Sequence, residues 1–254
     1  MENIIACNIV SYHRHRSTAY EHLASIGVRH IEIGLPACED VPRILSETGK
    51  YGLQVSSVVA PFDVHRESVA EDFIATLETA KALGARVVFI SVHAGDLPKP
   101  VVCERMRRVG DQAARFDLKV AMETHPDLIT NGDIALATMQ GIDHPNVGIN
   151  FDTANIYYYN KGVDGVTELK KIARYVVSVH LKDTNGKPRT WYFPTLGEGI
   201  VDFAGVFQTL NAVGMYGPFT MEMEGIEGES LTLEQTHARM AESVAHLRGL
   251  GLIP

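Results

Sequence analysis

The sequence predicts a single (β/α)8 TIM barrel of the α/β class, filling residues 1–254 as one catalytic domain. Short runs rich in β-branched residues alternate with longer amphipathic stretches, eight times over, and no Pro/Gly-rich linker divides the chain. The length also fits, since such a barrel needs about 250 residues. A doubly wound sheet is the competing layout. It rarely spends eight similar units on one undivided domain, and the first candidate strand here carries no GxGxxG.

The elements follow in order. Strand Ile4–Ile9 leads into a helix over 18–26, His30–Gly34 into 39–50, Val55–Ala60 into 69–83, and Arg86–Val92 into 100–117. Lys119–Thr124 leads into 132–140, Val147–Asp152 into 164–173, Val176–Leu181 into 203–213, and Phe219–Glu224 into 232–248. Thr18 with Glu21, Ser68 with Glu71 and Thr232 with Gln235 each fit a capping box, which satisfies orphan N–H groups at a helix start. Gly27, Gly84 and Gly214 are placed to close helices before the next strand.

Composition excludes several function classes. A hydrophobic share of 45% with 21% charged residues describes a globular enzyme-sized core. The net charge of −8 argues against nucleic acid, whose phosphates call for Lys/Arg clusters. The one basic cluster, Arg105, Arg107 and Arg108, shares its helix with Glu104 and Asp111 and reads as a solvated face. Three widely spaced cysteines, Cys7, Cys38 and Cys103, form no zinc or disulfide pattern. No signal peptide and no apolar run of about 20 residues is present, so the expectation is a cytoplasmic protein without a membrane partner.

The functional signal lies at the ends of the last four strands. Glu123 in KVAMETH, Asp152 in VGINFDTAN, His180 in VVSVHLKD and Glu222 in PFTMEMEG each stand where a buried run breaks into a loop. Strand alternation lets them point inward beside Ala121, Asn150, Ser178 and Thr220. In a barrel these ends share one rim. Three carboxylates brought together in a buried place are costly unless a cation pairs with them. The mixed oxygen and nitrogen set suits one divalent ion, Mn2+ or Mg2+ first, with Co2+, Fe2+ or Zn2+ as alternatives. Glu224 shares the parity of Glu222, and the deeper Glu222 is preferred as the ligand.

The segments AMETH, NFDTAN, VVSVHLKD, LGEGIVDF and TMEME resemble the sugar isomerase/epimerase branch of the xylose isomerase-like TIM barrels, over essentially the whole chain. That superfamily also holds endonuclease IV-type enzymes, and the branch includes ketose 3-epimerases and inosose dehydratase-like lyases. The resemblance implies one metal on Glu123, Asp152, His180 and Glu222, with Glu123 and Glu222 doubling as the acid/base pair around a small carbohydrate substrate. The trinuclear members carry further histidines; here Asn155 stands three residues after Asp152, and no Asp-x-His pair follows His180. One ion, and no DNA substrate, is therefore implied. The epimerases place an arginine after the strand-seven histidine, a part that Lys182 or Arg189 would have to take.

Further substrate contacts are expected at His93, His125, Lys182, Arg189, Trp191 and Glu224. Lys182 faces away from the ligand set by alternation unless the strand has ended before it. Trp191, Tyr192 and Phe193 lie in the long loop 185–199, which either covers the mouth or forms a contact in a homo-oligomer. Glu32, His65 and Cys7 read first as structural. No phosphate cradle is visible, so an unphosphorylated substrate is preferred. The expected activity is metal-dependent isomerisation or epimerisation of a small keto sugar or sugar acid through an enediolate. The alternative is a lyase, a dehydratase or decarboxylase, on an oxo sugar acid or inosose-like compound.

Overall fold

The structure, a computed structural model, describes residues 2–253. Eight parallel strands close into a barrel: β1 (Ile5–Asn8), β2 (His30–Gly34), β3 (Gln54–Val59), β4 (Val87–Ile90), β5 (Lys119–Glu123), β6 (Val147–Asp152), β7 (Val176–Leu181) and β9 (Phe219–Met221), with β9 returning to β1. Two short strands, β8 (Tyr192–Phe193) and β10 (Gly225–Ile226), form a separate antiparallel pair over the rim. The helices are α1 (Ala19–Ser25), α2 (Val41–Gly49), α3 (Val69–Asp72), α4 (Ile74–Ala82), α5 (Lys99–Arg115), α6 (Gly132–Ile142), α7 (Asn155–Tyr159), α8 (Gly165–Ile172), α9 (Phe203–Asn211) and α10 (Leu233–Gly249).

The helices bury one stripe each against the outer face of the barrel. In α5 the buried set Val102, Cys103, Met106, Val109, Gly110 and Ala113 follows helical spacing. Met122, Ile149, Phe151, Val179 and Leu181 meet such stripes from the strands. Phe207 of α9 stacks on Phe219 of β9 with ring centroids 3.9 Å apart, and truncating either ring to alanine should cost about 3–5 kcal/mol. Inside the barrel the layer is polar: Ser57, Asn150, Ser178 and Thr220 are all buried, with Ser178 Oγ donating to Asn150 Oδ1 at 2.7 Å.

Several sequence expectations are corrected. Only Thr232 and Gln235 complete a capping box. The Thr18 hydroxyl is drawn instead to the His15 carbonyl and His237, and Ser68 to the Asp72 carboxylate. The helix expected over 69–83 is interrupted at Phe73, whose ring packs edge-on against Phe62. The arginines of α5 are staples rather than a solvated face. Arg105 donates to the carbonyls of Val64 and His65, Arg107 to those of Gly141 and Ile142, and Arg108 pairs with Glu71.

Candidate metal centre and substrate cavity

Barrel register sets the four rim residues side by side. Glu123 of β5 pairs in the ladder with Asn150 of β6, Asp152 of β6 with His180 of β7, and His180 with Thr220 of β9. Glu222 follows β9, with its N–H bound to the Leu181 carbonyl at 3.0 Å. One candidate ligand atom from each of Glu123, Asp152, His180 and Glu222 lies within 4.8 Å of all the others.

The donor set fits a cation, and the chemistry of that set carries the test. Asp152 Oδ1 accepts the N–H groups of Ala154 and Asn155, both at 2.8 Å, whereas its buried Oδ2 faces the Lys182 ammonium at 3.0 Å. His180 Nε2 lies 3.0 Å from Glu32 Oε1, and its buried Nδ1 lies 3.0 Å from Glu222 Oε2. Hard oxygen donors with one imidazole, each oriented by an outer partner, are what a divalent ion requires.

Glu32 is the residue that sequence reasoning undervalued. It is 1% exposed and accepts from Asn8 Nδ2 at 3.0 Å and from Ser57 Oγ at 2.7 Å as well as facing His180. Asn8 also donates to Glu222 Oε1 at 3.1 Å, so one amide orders a carboxylate on each side. The available signal was parity, because Glu32 is an acid on the inward face of an apolar strand. Ser91, whose hydroxyl donates to Glu123 Oε2 at 2.5 Å, and Asn155, 3.3 Å from Glu123 Oε1, complete the support.

Electrostatics keep the two glutamates ionised. Burial pushes the Glu123 carboxyl up, but His125, 2.9 Å away, more than offsets it and holds the group below its ordinary value. The same contact raises the His125 imidazole against the effect of burial. Glu222 is likewise opposed by burial yet driven well down by His180 and Lys182. His180 is raised, burial notwithstanding, by Glu222 and Glu32.

Lys182 is placed differently from the alternation rule. β7 ends at Leu181, and the hydroxyl of Thr153 bonds both the N–H and the carbonyl of Lys182, at 2.9 and 2.6 Å. Its side chain turns inward, 1% exposed, with Nζ 3.0 Å from Asp152 Oδ2, 3.0 Å from Glu222 Oε2 and 2.6 Å from Glu224 Oε2. Burial alone would lower this ammonium's pKa; Asp152, Glu222 and Glu224 raise it well above its ordinary value.

Above the cluster opens a cavity of about 360 Å³. Glu123, Glu222 and Glu224 line it with Lys182, His125 and Asn155, under a wall of Tyr158, Tyr159, Trp191 and Phe193. Trp191 meets Phe193 edge-on at 5.1 Å and remains 42% exposed. The β8–β10 pairing pins this aromatic loop to the segment after Glu224. Asp183 holds its far end, accepting the N–H groups of Gly197, Gly199 and Val201. A Cβ on Gly199 would collide with that carboxylate, so the close approach requires glycine.

Two expected contacts stand apart. His93 is exposed, hydrogen-bonded through Nδ1 to the Pro126 carbonyl at 2.7 Å, and reaches the site only by stacking on His125. Arg189 is exposed with positive φ, its N–H tied to the Tyr158 carbonyl, and it does not line the cavity.

The family model for xylose isomerase-like TIM barrels matches residues 20–250. The chain belongs to that family. Within it, the chain is 28% identical over 170 residues to the L-ribulose-5-phosphate 3-epimerase UlaE of Salmonella paratyphi A, covering 64% of this chain. The match spans 58% of that relative's own length. Among solved structures, the D-allulose 3-epimerase from Methylomonas sp. superposes with a TM-score of 0.76 at 17% identity, covering 98% of both chains. The IOLI protein, solved with a bound zinc atom, gives 0.74 at 19% identity over 97% of this chain and 98% of that one. Both share the fold of this xylose isomerase-like barrel. Among its described residues no helix is long and apolar enough to cross a membrane.

Proposed function

We propose that this family member is a divalent-metal-dependent isomerase or epimerase of a small keto sugar or sugar acid. The observation that carries the reading is the pair Glu123 and Glu222, two carboxylates with lowered pKa that line one cavity and belong to one ligand set. The sugar 3-epimerases among its relatives support it. Glu123, Asp152, His180 and Glu222 would hold the ion, which would supply Lewis acidity at the substrate carbonyl. Glu123, backed by His125 and Ser91, is suited to take the proton from the α-carbon and hold it at a carboxylate oxygen. Glu222, ionised at rest, would deliver to the other face a proton drawn from a substrate hydroxyl, and Glu123 would then return its own proton to that hydroxyl oxygen. The aromatic wall of Tyr158, Trp191 and Phe193 keeps water from the enediolate.

A second reading, a dehydratase or decarboxylase, rests on Lys182. Its ammonium beside Glu224 is suited to hold a substrate carboxylate or protonate a departing hydroxyl. One experiment separates the readings: Mn2+- or Mg2+-loaded protein is incubated in D2O with a panel of keto sugars and oxo sugar acids. Deuterium at an α-carbon with no other change in mass supports the isomerase or epimerase. Loss of water or CO2 supports the lyase, and absence of metal-dependent turnover across the panel refutes both.

A further inference from the structure

The barrel has a second mouth, at the N-terminal ends of its strands, with a cavity of 450 Å³. Its charge is opposite to that of the candidate centre. His30, Arg86, Lys119 and Arg174 line it, and no aspartate or glutamate does. In a chain of 31 acidic residues to 23 lysines and arginines, an acid-free basic cavity is against the composition.

The four basic groups converge from different parts of the chain. His30 and Lys119 open β2 and β5, and each shares the parity of an inward acid at the other end of its strand, Glu32 or Glu123. Arg86 immediately precedes β4, with its carbonyl bound to the Lys119 N–H at 3.0 Å, so the two residues are neighbours across the sheet. Arg174 lies in the 3-10 turn that feeds β7.

Their donors are largely uncommitted. Lys119 Nζ gives one hydrogen bond, to the Pro145 carbonyl at 2.7 Å. The Arg174 guanidinium lies over the Tyr175 ring, 5.6 Å from its centroid. Arg86 makes no side-chain hydrogen bond or ion pair with a described residue. Burial, then the Arg86 charge, holds His30 below its ordinary pKa, which leaves a neutral imidazole among three cations. The floor is apolar, formed by Val55, Val87 and Val176.

Two guanidiniums and an ammonium exceed what a single carboxylate needs, whereas a phosphate dianion offers several strong acceptors to such forks. An apolar floor beneath them suits a carbon skeleton rather than a bare ion. We infer that this lower mouth is a binding site for a small phosphate ester, with Arg86, Arg174 and Lys119 on the phosphate and Val55, Val87 and Val176 under the organic part. The site is separate from the candidate centre and does not depend on the activity proposed for it.

Isothermal titration with phenyl phosphate and with inorganic phosphate tests the inference on the full chain. Phenyl phosphate should bind saturably and more tightly than inorganic phosphate. Arg86→Gln/Arg174→Gln should weaken it by about tenfold or more, and Glu123→Gln, at the other mouth, should leave it unchanged. Both arginines are exposed, so the variant should keep its fold, which a thermal melt checks. Absence of saturable binding, or affinity unchanged in the double-arginine variant, overturns the site. Loss of binding in Glu123→Gln moves the ligand to the upper mouth and overturns it too. Equal affinity for the two probes overturns the ester assignment.

Discussion

Glu32→Gln isolates one charge behind the candidate centre. Glu32 sits among three hydrogen-bonding neighbours, His180 Nε2, Asn8 Nδ2 and Ser57 Oγ, all within 3.0 Å. The glutamine carbonyl can still accept from His180 and Asn8, and the Ser57 hydroxyl can rotate to accept from the new amide. No buried group is orphaned, so the melting temperature should move little. What is lost is the charge assistance on the His180 contact, about 1 kcal/mol or somewhat more. Since His180 would present its Nδ1 to the ion, Mn2+ affinity should fall roughly tenfold, the lower end of what outer partners of metal ligands contribute. Glu32→Ala is the contrast: it strands three buried donors at about 1–3 kcal/mol each and should destabilise the fold outright. Titration of Mn2+ by electron paramagnetic resonance, alongside a thermal melt, reads both. Mn2+ affinity in Glu32→Gln within twofold of wild type would refute the idea that Glu32 tunes His180 for a metal.

Lys182→Met removes an ammonium that lies 3.0 Å from both Asp152 and Glu222. A unit positive charge about 4 Å from a divalent ion would cost up to roughly 8 kcal/mol at an effective dielectric of ~20, twice the value for two unit charges, so Mn2+ should bind at least tenfold more tightly while turnover falls; weaker binding would contradict this. His22 gives a pH signature in stability: burial, then the neighbouring His237, lowers its pKa from 6.5 to about 4. Its folded pKa is below its unfolded one, so the unfolded chain takes up the extra proton first. The His22 contribution is therefore complete above pH 6.5 and declines as pH falls toward 4. Replacing the ring by His22→Gln should flatten that part of a melting-temperature profile, and an unchanged slope would remove His22 as its source.

The eight strands and the four rim residues were legible because both rest on short-range rules. Alternation decides which side chains turn inward, and strand ends in a closed barrel share a rim. Glu32 was not legible as the partner of His180, since the two are 148 residues apart and meet only across the closed barrel. The capping boxes at Thr18 and Ser68 failed for a related reason: each hydroxyl had a nearer tertiary or side-chain partner than the helix N–H groups. Arg189 matched on residue type, but its backbone bond to Tyr158 leaves the side chain on the outer surface.

Lys182 shows where periodicity stops being informative. Within a continuing strand it would face the helices, and its ammonium would have no part in the centre. β7 instead ends one residue earlier, at Leu181, and Thr153 from the neighbouring loop takes both backbone polar groups of Lys182. The pleat is broken at that point, and the long side chain follows the field of Asp152, Glu222 and Glu224 rather than the parity of the strand. A single residue of strand length thus determines whether the cavity holds three carboxylates with a histidine or the same set with a competing cation. In the proposed reaction that difference would bear on which bond of the substrate breaks, because an ammonium at this place can stabilise a departing group as readily as it can an enediolate.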